Sequence, residues 1–303
     1  MGDTTLREAI VALPVQDETR EVFQLSSFQG KIWVQDTAYY GNKPSFEIGI
    51  EAYQNLIEQA VDKMQTSELE KVVLSRLVVA STPTSITSQS IFEQLCIAYP
   101  MACVFQFETP SGEEWLGATP EKLIVRRGNQ FSTIALAGTR SVDQNVPWTD
   151  KEIHEELVVK DYIVSVLWSF GAADIVVSER YERRAGHLIH LAHDITFTSE
   201  ETVGFWTAQL HPTPAVCGLP KALAMDYIRQ NEPHGRGFYT GLLGIEQPNG
   251  DADVYVLLRC ARRNEAGFVL YVGGGITAGS NWSDEYAETV LKSDIFRNVL
   301  MRS

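Results

Sequence analysis

Cysteine is scarce: four in 303 residues, Cys96, Cys103, Cys217 and Cys260, with no CxxC pair. That spacing supports neither a disulfide framework nor a zinc cluster, and predicts buried free thiols in a reducing compartment. Positive charge is also in short supply. Lys and Arg total 25 against 39 Asp and Glu, a formal charge of −14. This disfavours a general nucleic-acid or anionic-membrane binder, whose affinity depends on clustered cations. No apolar run approaches the roughly 18 residues needed to span a bilayer. The opening Met1-Gly2-Asp3-Thr4-Thr5-Leu6 lacks the basic start and apolar core of a signal peptide, and Leu6 spoils the myristoylation pattern. A soluble, cytoplasmic, monomeric protein acting on a small molecule is the expectation. Cofactor signatures fail too. There is no GxxxxGK[ST]; Gly273-Gly274-Gly275 lacks the third glycine of GxGxxG; His154-Glu155-Glu156-Leu157-Val158 has Val where HExxH needs its second histidine.

What is present is an ordinary globular composition, 44% apolar or aromatic, long enough to bury a sizeable core in one domain or two intimately joined ones. No repeat, low-complexity tract or linker marks a boundary. Periodicity predicts a helix over about 46–64, with Tyr53, Leu56, Ile57, Ala60 and Val61 on one face. Strands are predicted over 70–80, 103–108, 114–117, 123–127, 130–136, 239–245, 253–261 and 267–273. Helices are predicted from 149 (capped by Asp150), over 219–230 (opened by Pro220) and from about Ser283 to the end. Strands in hairpin-like order with inserted helices point to an α+β fold with a largely antiparallel sheet.

Several polar residues stand in apolar surroundings. Lys71 heads Val72-Val73-Leu74, where an ordinary lysine would snorkel to water. Glu121 follows Gly117-Ala118-Thr119-Pro120, the position of a first-turn carboxylate in a capped helical segment. Glu152, Glu155 and Glu156 share one side of a helix, as do Glu285, Glu288 and Lys292, and both sets read first as solvated faces with a Glu288–Lys292 pair. The triplet His187, His190, His193 has metal-ligand spacing only loosely, and packed imidazoles explain it as well.

Taken in order, eight blocks resemble the chorismate-utilising enzymes, and among them the isochorismate synthases. They are Lys71 to Arg76, Leu116 to Leu123, Leu136-Ala137-Gly138-Thr139, Lys151 to Val159, His190-Leu191, Leu210 to Pro220, Leu258-Arg259-Cys260-Ala261 and Tyr271 to Lys292. The resemblance covers about Glu70 to the C-terminus. Residues 1–65 resemble a shortened form of the family's N-terminal region, contributing to the sheet ahead of a chorismate-binding catalytic domain over 66–303. Trp282 stands where relatives typically have Pro.

The resemblance implies two antiparallel sheets in a sandwich with helices outside, and a Mg²⁺-dependent site in the cleft between them. It implies conversion of chorismate to isochorismate, water adding at C2 as the C4 hydroxyl leaves, with Lys71 as base and Glu121 as acid. It places Glu155 and Glu288 directly on Mg²⁺ and Glu285 on it through water. Arg259 and Lys292 would grip substrate carboxylates in a locally positive pocket. Gly138, Thr139, Gly274, Gly275, His190, His211, Thr213 and Ala215 would complete the substrate site. The alternative is a salicylate synthase, which eliminates pyruvate from the same intermediate. In ammonia-using anthranilate synthases the Lys71 position resembles a glutamine, so Lys71 argues for water.

Overall fold

The computed structural model describes residues 4–14, 20–41, 43–83, 85–143, 146–185 and 188–300, apart from the side chains of Thr139, Lys151, Ala185, Leu188 and Ile295. From the N-terminus come β1 (Glu8–Pro14), β2 (Arg20–Gln24), β3 (Lys31–Gln35), α1 (Ile50–Gln65), β4 (Lys71–Ser81), α2 (Ser88–Ala98) and β5 (Cys103–Glu108). Next are β6 (Glu114–Thr119), β7 (Lys122–Arg127), β8 (Gln130–Ser141), α3 (Asp150–Ser169), β9 (Ala173–Val177), β10 (Tyr181–Ala185) and β11 (Leu188–Thr198). The chain continues through α4 (Val203–Leu210), β12 (Gly218–Leu219), α5 (Lys221–Asn231), β13 (Leu242–Glu246), β14 (Ala252–Val256), β15 (Cys260–Asn264), β16 (Gly267–Thr277) and α6 (Trp282–Leu300).

Two sheets result, one ordered β12-β4-β16-β15-β6-β5-β1-β2 and the other β10-β11-β8-β7-β14-β13-β3, with β9 also pairing β11. The inner faces meet in a core containing Phe105, Phe107, Trp115, Leu243, Tyr255 and Tyr271. Helices cover the outer faces. α2 and α6 pack on the first sheet through Ile91, Phe92, Phe296 and Val299, and α3 and α4 on the second through Val159, Ile163, Leu167 and Trp206. α1 and α5 cover β4 through Tyr53, Ile57, Ala224 and Ile228. This is the expected antiparallel α+β sandwich. β1 and β2 extend one sheet and β3 edges the other, so the first 65 residues are built into both layers. Among the described residues, no helix is long and apolar enough to cross a membrane. Cys103, Cys217 and Cys260 are buried free thiols, while Cys96 is partly exposed.

Two connections between the sheets shape the site. The chain leaves β6 for β7 through Pro120 and Glu121, and leaves β14 for β15 through Leu257, Leu258 and Arg259. Side by side, they are bonded by Thr119 Oγ1 to the Val256 carbonyl (2.6 Å), and by Val256 N–H to the Glu121 carbonyl and Ala118 N–H to the Arg259 carbonyl (2.9 and 3.2 Å). The single strand expected over 253–261 is therefore two, broken where Arg259 turns with φ +47°. Glu121 sits in a strand-to-strand corner and in no helix. α3 is capped by Thr149, whose hydroxyl and Glu152 complete a capping box, so Asp150 is the first helical residue. Over 188–198 the chain is a strand, so His190 and His193 point to opposite faces; His187 lies outside the described residues.

Phe131 is fully buried and stacks on Phe197 with ring centroids 5.2 Å apart. Phe131→Ala should lower unfolding stability by about 3–5 kcal/mol, whereas Trp168→Ala, at a side chain 68% exposed, should stay within about 0.5 kcal/mol. Urea unfolding of both variants checks the packing assignment.

Candidate active site

A cavity of about 330 Å³ is lined by residues of both sheets. Its walls bring together Lys71 from β4, Glu121 and Arg259 from the two corners, Gly138 from β8, Glu152 and Glu155 from α3, and His190 from β11. Ala215, Gly274 and Gly275 line it as well, and α6 contributes Glu285, Glu288 and Lys292. Lys71 and Lys292, 221 sequence positions apart, thus face one space.

Lys71 cannot snorkel. It opens a strand flanked on one edge by β16 and on the other by β12, pairing with Thr277 and Leu219, and it is only 6% exposed. Burial holds its ammonium pKa below the ordinary lysine value. Glu155, Glu288 and Glu121 pull the other way, and Lys292 assists the lowering. Gly275 makes room for it: a Cβ there would lie 2.9 Å from Lys71 Cε. At the corner, burial pushes the Glu121 carboxyl up to about 7 against the pull of Arg259, Lys292 and Lys71. Near neutrality a large fraction of Glu121 is protonated, as a proton donor requires.

The opposite wall depends on a bulge. The register of β8 against β11 shifts between Ile189 and Leu191, and Gly138 takes φ +69° there, a region that favours glycine. Its carbonyl accepts from His190 Nδ1 at 3.0 Å, which leaves Nε2 as an acceptor 3.4 Å from Arg259 Nη2. Burial, then the Arg259 charge, lower the His190 pKa to about 3 despite the Gly138 bond, so its ring is neutral. Burial also lowers the Arg259 pKa to about 10, which still leaves the guanidinium charged.

On α6, Lys292 reaches Glu288 Oε1 at 2.6 Å and donates to the Gly273 carbonyl at 2.8 Å. The Glu288–Lys292 pair exists, but it lines the cavity and is no solvated face. Glu285 is 3% exposed and accepts from Ser280 Oγ at 2.6 Å. Glu156 parts company with its neighbours: fully buried, it meets Arg180 Nε and His193 Nε2, each at 3.3 Å. Glu152, read from sequence only as part of a polar helix face, lines the cavity. The capping-box spacing Thr149–Glu152 and the bulge at Gly138 put it there.

Two sequence-derived candidates do not line the cavity. His211 is buried against Tyr39, whose hydroxyl is 3.0 Å from Nε2, and its carbonyl accepts from Lys221. Thr213 is buried, with its carbonyl capping the turn to Val216 and Cys217. Both support the loop that presents Ala215. The Thr139 side chain lies outside the described residues.

The cavity is not positive on its own. Five carboxyl side chains (Glu121, Glu152, Glu155, Glu285, Glu288) face three basic ones (Lys71, Arg259, Lys292). That donor set fits a hard divalent cation such as Mg²⁺, which takes carboxylate, water and substrate oxygens and needs only one or two protein carboxylates. Among the described residues no three metal-binding side chains already converge as a preformed cage.

A family model described as chorismate binding enzyme matches residues 20–301. The chain is 34% identical to the isochorismate synthase DhbC of Bacillus subtilis over 270 residues, 82% of this chain and 67% of that one. It is 30% identical to the isochorismate synthase EntC of Escherichia coli K12 over 259 residues, 82% of this chain and 66% of that one. The matched stretch therefore spans about two thirds of these relatives. Among solved structures, DhbC from Bacillus anthracis superposes with a TM-score of 0.77 at 25% identity, covering 98% of this chain and 84% of that one.

The raised Glu121 pKa has a consequence for stability. A carboxyl held higher in the folded chain than its usual value near 4.5 binds its proton more tightly when folded. The stability this contributes is full below about pH 4.5 and is lost as pH rises through about 7. Glu121→Gln, which stays neutral, should gain thermal stability relative to the parent at pH 8, and the gap should shrink at pH 5. Melting curves at the two pH values check this; equal gaps would place Glu121 in a solvated setting.

Proposed function

Because the chain belongs to the chorismate-binding enzyme family, we propose that it is an isochorismate synthase, an isomerase that converts chorismate to isochorismate. Water is a poor nucleophile and hydroxide a poor leaving group, so the reaction needs a base at C2 and an acid at C4. A neutral Lys71 takes the proton from water as it attacks C2. Protonated Glu121 gives its proton to the departing C4 oxygen, and the two roles exchange in the reverse direction. Arg259 and Lys292 pair with the substrate's carboxylates, with neutral His190 fixing one side of Arg259. Glu155 and Glu288 would hold Mg²⁺, with Glu285 acting through water, and the bound ion would add positive charge against a substrate carboxylate in a pocket whose carboxyl groups outnumber its basic side chains.

The observation that carries this reading is one buried cavity in which burial lowers a lysine and raises a glutamate, beside an arginine and a second lysine. The names of the similar enzymes support the choice of product.

Purified protein given chorismate and Mg²⁺ should accumulate isochorismate on chromatography, with no pyruvate in a lactate-dehydrogenase-coupled assay. Stoichiometric pyruvate would reassign the protein as a salicylate synthase. Lys71→Ala should lower turnover by about 10²-fold or more with the fold intact, and parental turnover in that variant would remove Lys71 from the chemistry. Chelation by EDTA should abolish activity and Mg²⁺ restore it better than Ca²⁺, which prefers longer bonds and more ligands; activity that survives EDTA would exclude the metal.

A further inference from the structure

Behind the cavity lies a buried ion pair that the chemistry above does not use. Arg236 is 2% exposed and Glu232 1%. The guanidinium has five N–H donors and five acceptors around it. Nε and Nη2 take the two Glu232 oxygens at 2.7 and 2.9 Å, and Nη2 also donates to the Val73 carbonyl at 2.7 Å. Nη1 donates to the Val216 carbonyl at 3.2 Å and to Thr240 Oγ1 at 3.4 Å. Val73, Val216 and Thr240 all line the cavity, and they come from three separate segments.

The reason for a charged pair there is visible in the sheet. β12 pairs only with Lys71 and Val72, and Val73 N–H finds the Cys217 carbonyl. Beyond that point, among the described residues, β4 pairs with no further strand on this edge. The Val73 carbonyl goes to Arg236, and Ser75 N–H donates to Glu232 Oε2 at 2.8 Å. Two side chains thus continue the ladder where β12 stops, satisfying groups that burial would make costly to leave bare. His234 Nε2 adds a contact to Ser75 Oγ at 3.0 Å. Burial works to raise the Glu232 pKa, but the charge and hydrogen bonds of Arg236 hold the carboxyl below its ordinary range, so the pair is ionised.

We propose that the Arg236–Glu232 pair is a positioning device for the reaction: it fixes the edge of β4 that delivers Lys71, and ties it to the loops presenting Ala215 and Thr240. This rests on Lys71 being the base. A point-charge lysine keeps the charge balance with Glu232 but cannot reproduce the five-donor fork. Sub-ångström to 1 Å displacement of a catalytic group costs up to about 10²-fold.

The test is a double-mutant comparison in single-turnover assays with enzyme in excess of chorismate. Arg236→Lys, folded by circular dichroism, should lower the rate of the chemical step by between about 10-fold and 10²-fold while the substrate concentration for half-maximal rate changes less than about 3-fold. In a Lys71→Ala background the same substitution should cost less than about 2-fold, since the group it misplaces is gone. The paired change Glu232→Gln with Arg236→Met, which leaves no lone buried charge, should behave the same way if Arg236→Lys does not fold. An equal fractional loss with and without Lys71, a loss confined to substrate affinity, or a parental rate would each overturn the proposal. Parental turnover in Lys71→Ala alone would instead overturn the assignment of the base.

Discussion

Two adjacent corners, where the chain passes from one sheet to the other, set the chemistry of this molecule. Thr119 grips the Val256 carbonyl, Val256 returns a bond to Glu121, and Ala118 bonds to Arg259. With the backbone of both corners spent on each other, their side chains are left to face the cavity, and they face it from within the sandwich. Arg259 accepts a left-handed backbone to do so, a conformation that a side-chain-bearing residue adopts only where the surroundings hold it. Burial at this junction is what raises Glu121 and keeps a guanidinium within reach of it.

The second constraint is spacing. In the first sheet β4 and β6 are separated by β16 and β15, so Lys71 and Glu121 start from strands roughly 14 Å apart, three interstrand distances. Long side chains close much of that gap, and a ring-sized substrate fills the rest. In the proposed roles of base and acid, the two could then act on different carbons without neutralising each other as an ion pair. The excess of carboxyl groups among the lining residues suits the proposed divalent cation.

Much of the sheet was legible from composition alone. Val72-Val73-Leu74 and Leu77-Val78-Val79 put apolar residues on both faces, as a covered strand requires, and the segments at 103–108 and 114–117 are rich in apolar and aromatic residues. What periodicity could not show was where a strand stops for functional reasons: Leu257-Leu258-Arg259 continues the apolar pattern of β14, yet the chain turns there to change sheets. His190 and His193 sit in a run whose Leu and Ile fit a helix or a strand equally well, and only the pairing with β8 decides it. The site was legible only through the family resemblance, because Glu155, Glu285 and Glu288 each have the local pattern of a solvated helix face. Glu152 went unread because it shares the pattern of a solvated helix face with Glu155 and Glu156, and His211 is buried in a loop next to the cavity without lining it. Arg236 has Glu232 and Thr240 four positions to either side, but its Val73 and Val216 acceptors come from distant segments that only the fold brings to it.

If base and acid act at separate positions, the hydroxyl gained at C2 comes from solvent and the one lost from C4 departs. Turnover of chorismate in ¹⁸O-labelled water, followed by mass spectrometry of the isochorismate formed early in the reaction, tests this directly. Attack by water puts one solvent oxygen in the product, located in the C2 hydroxyl. Isochorismate formed without label would mean that the original hydroxyl migrates within the substrate, and that Lys71 does not activate water.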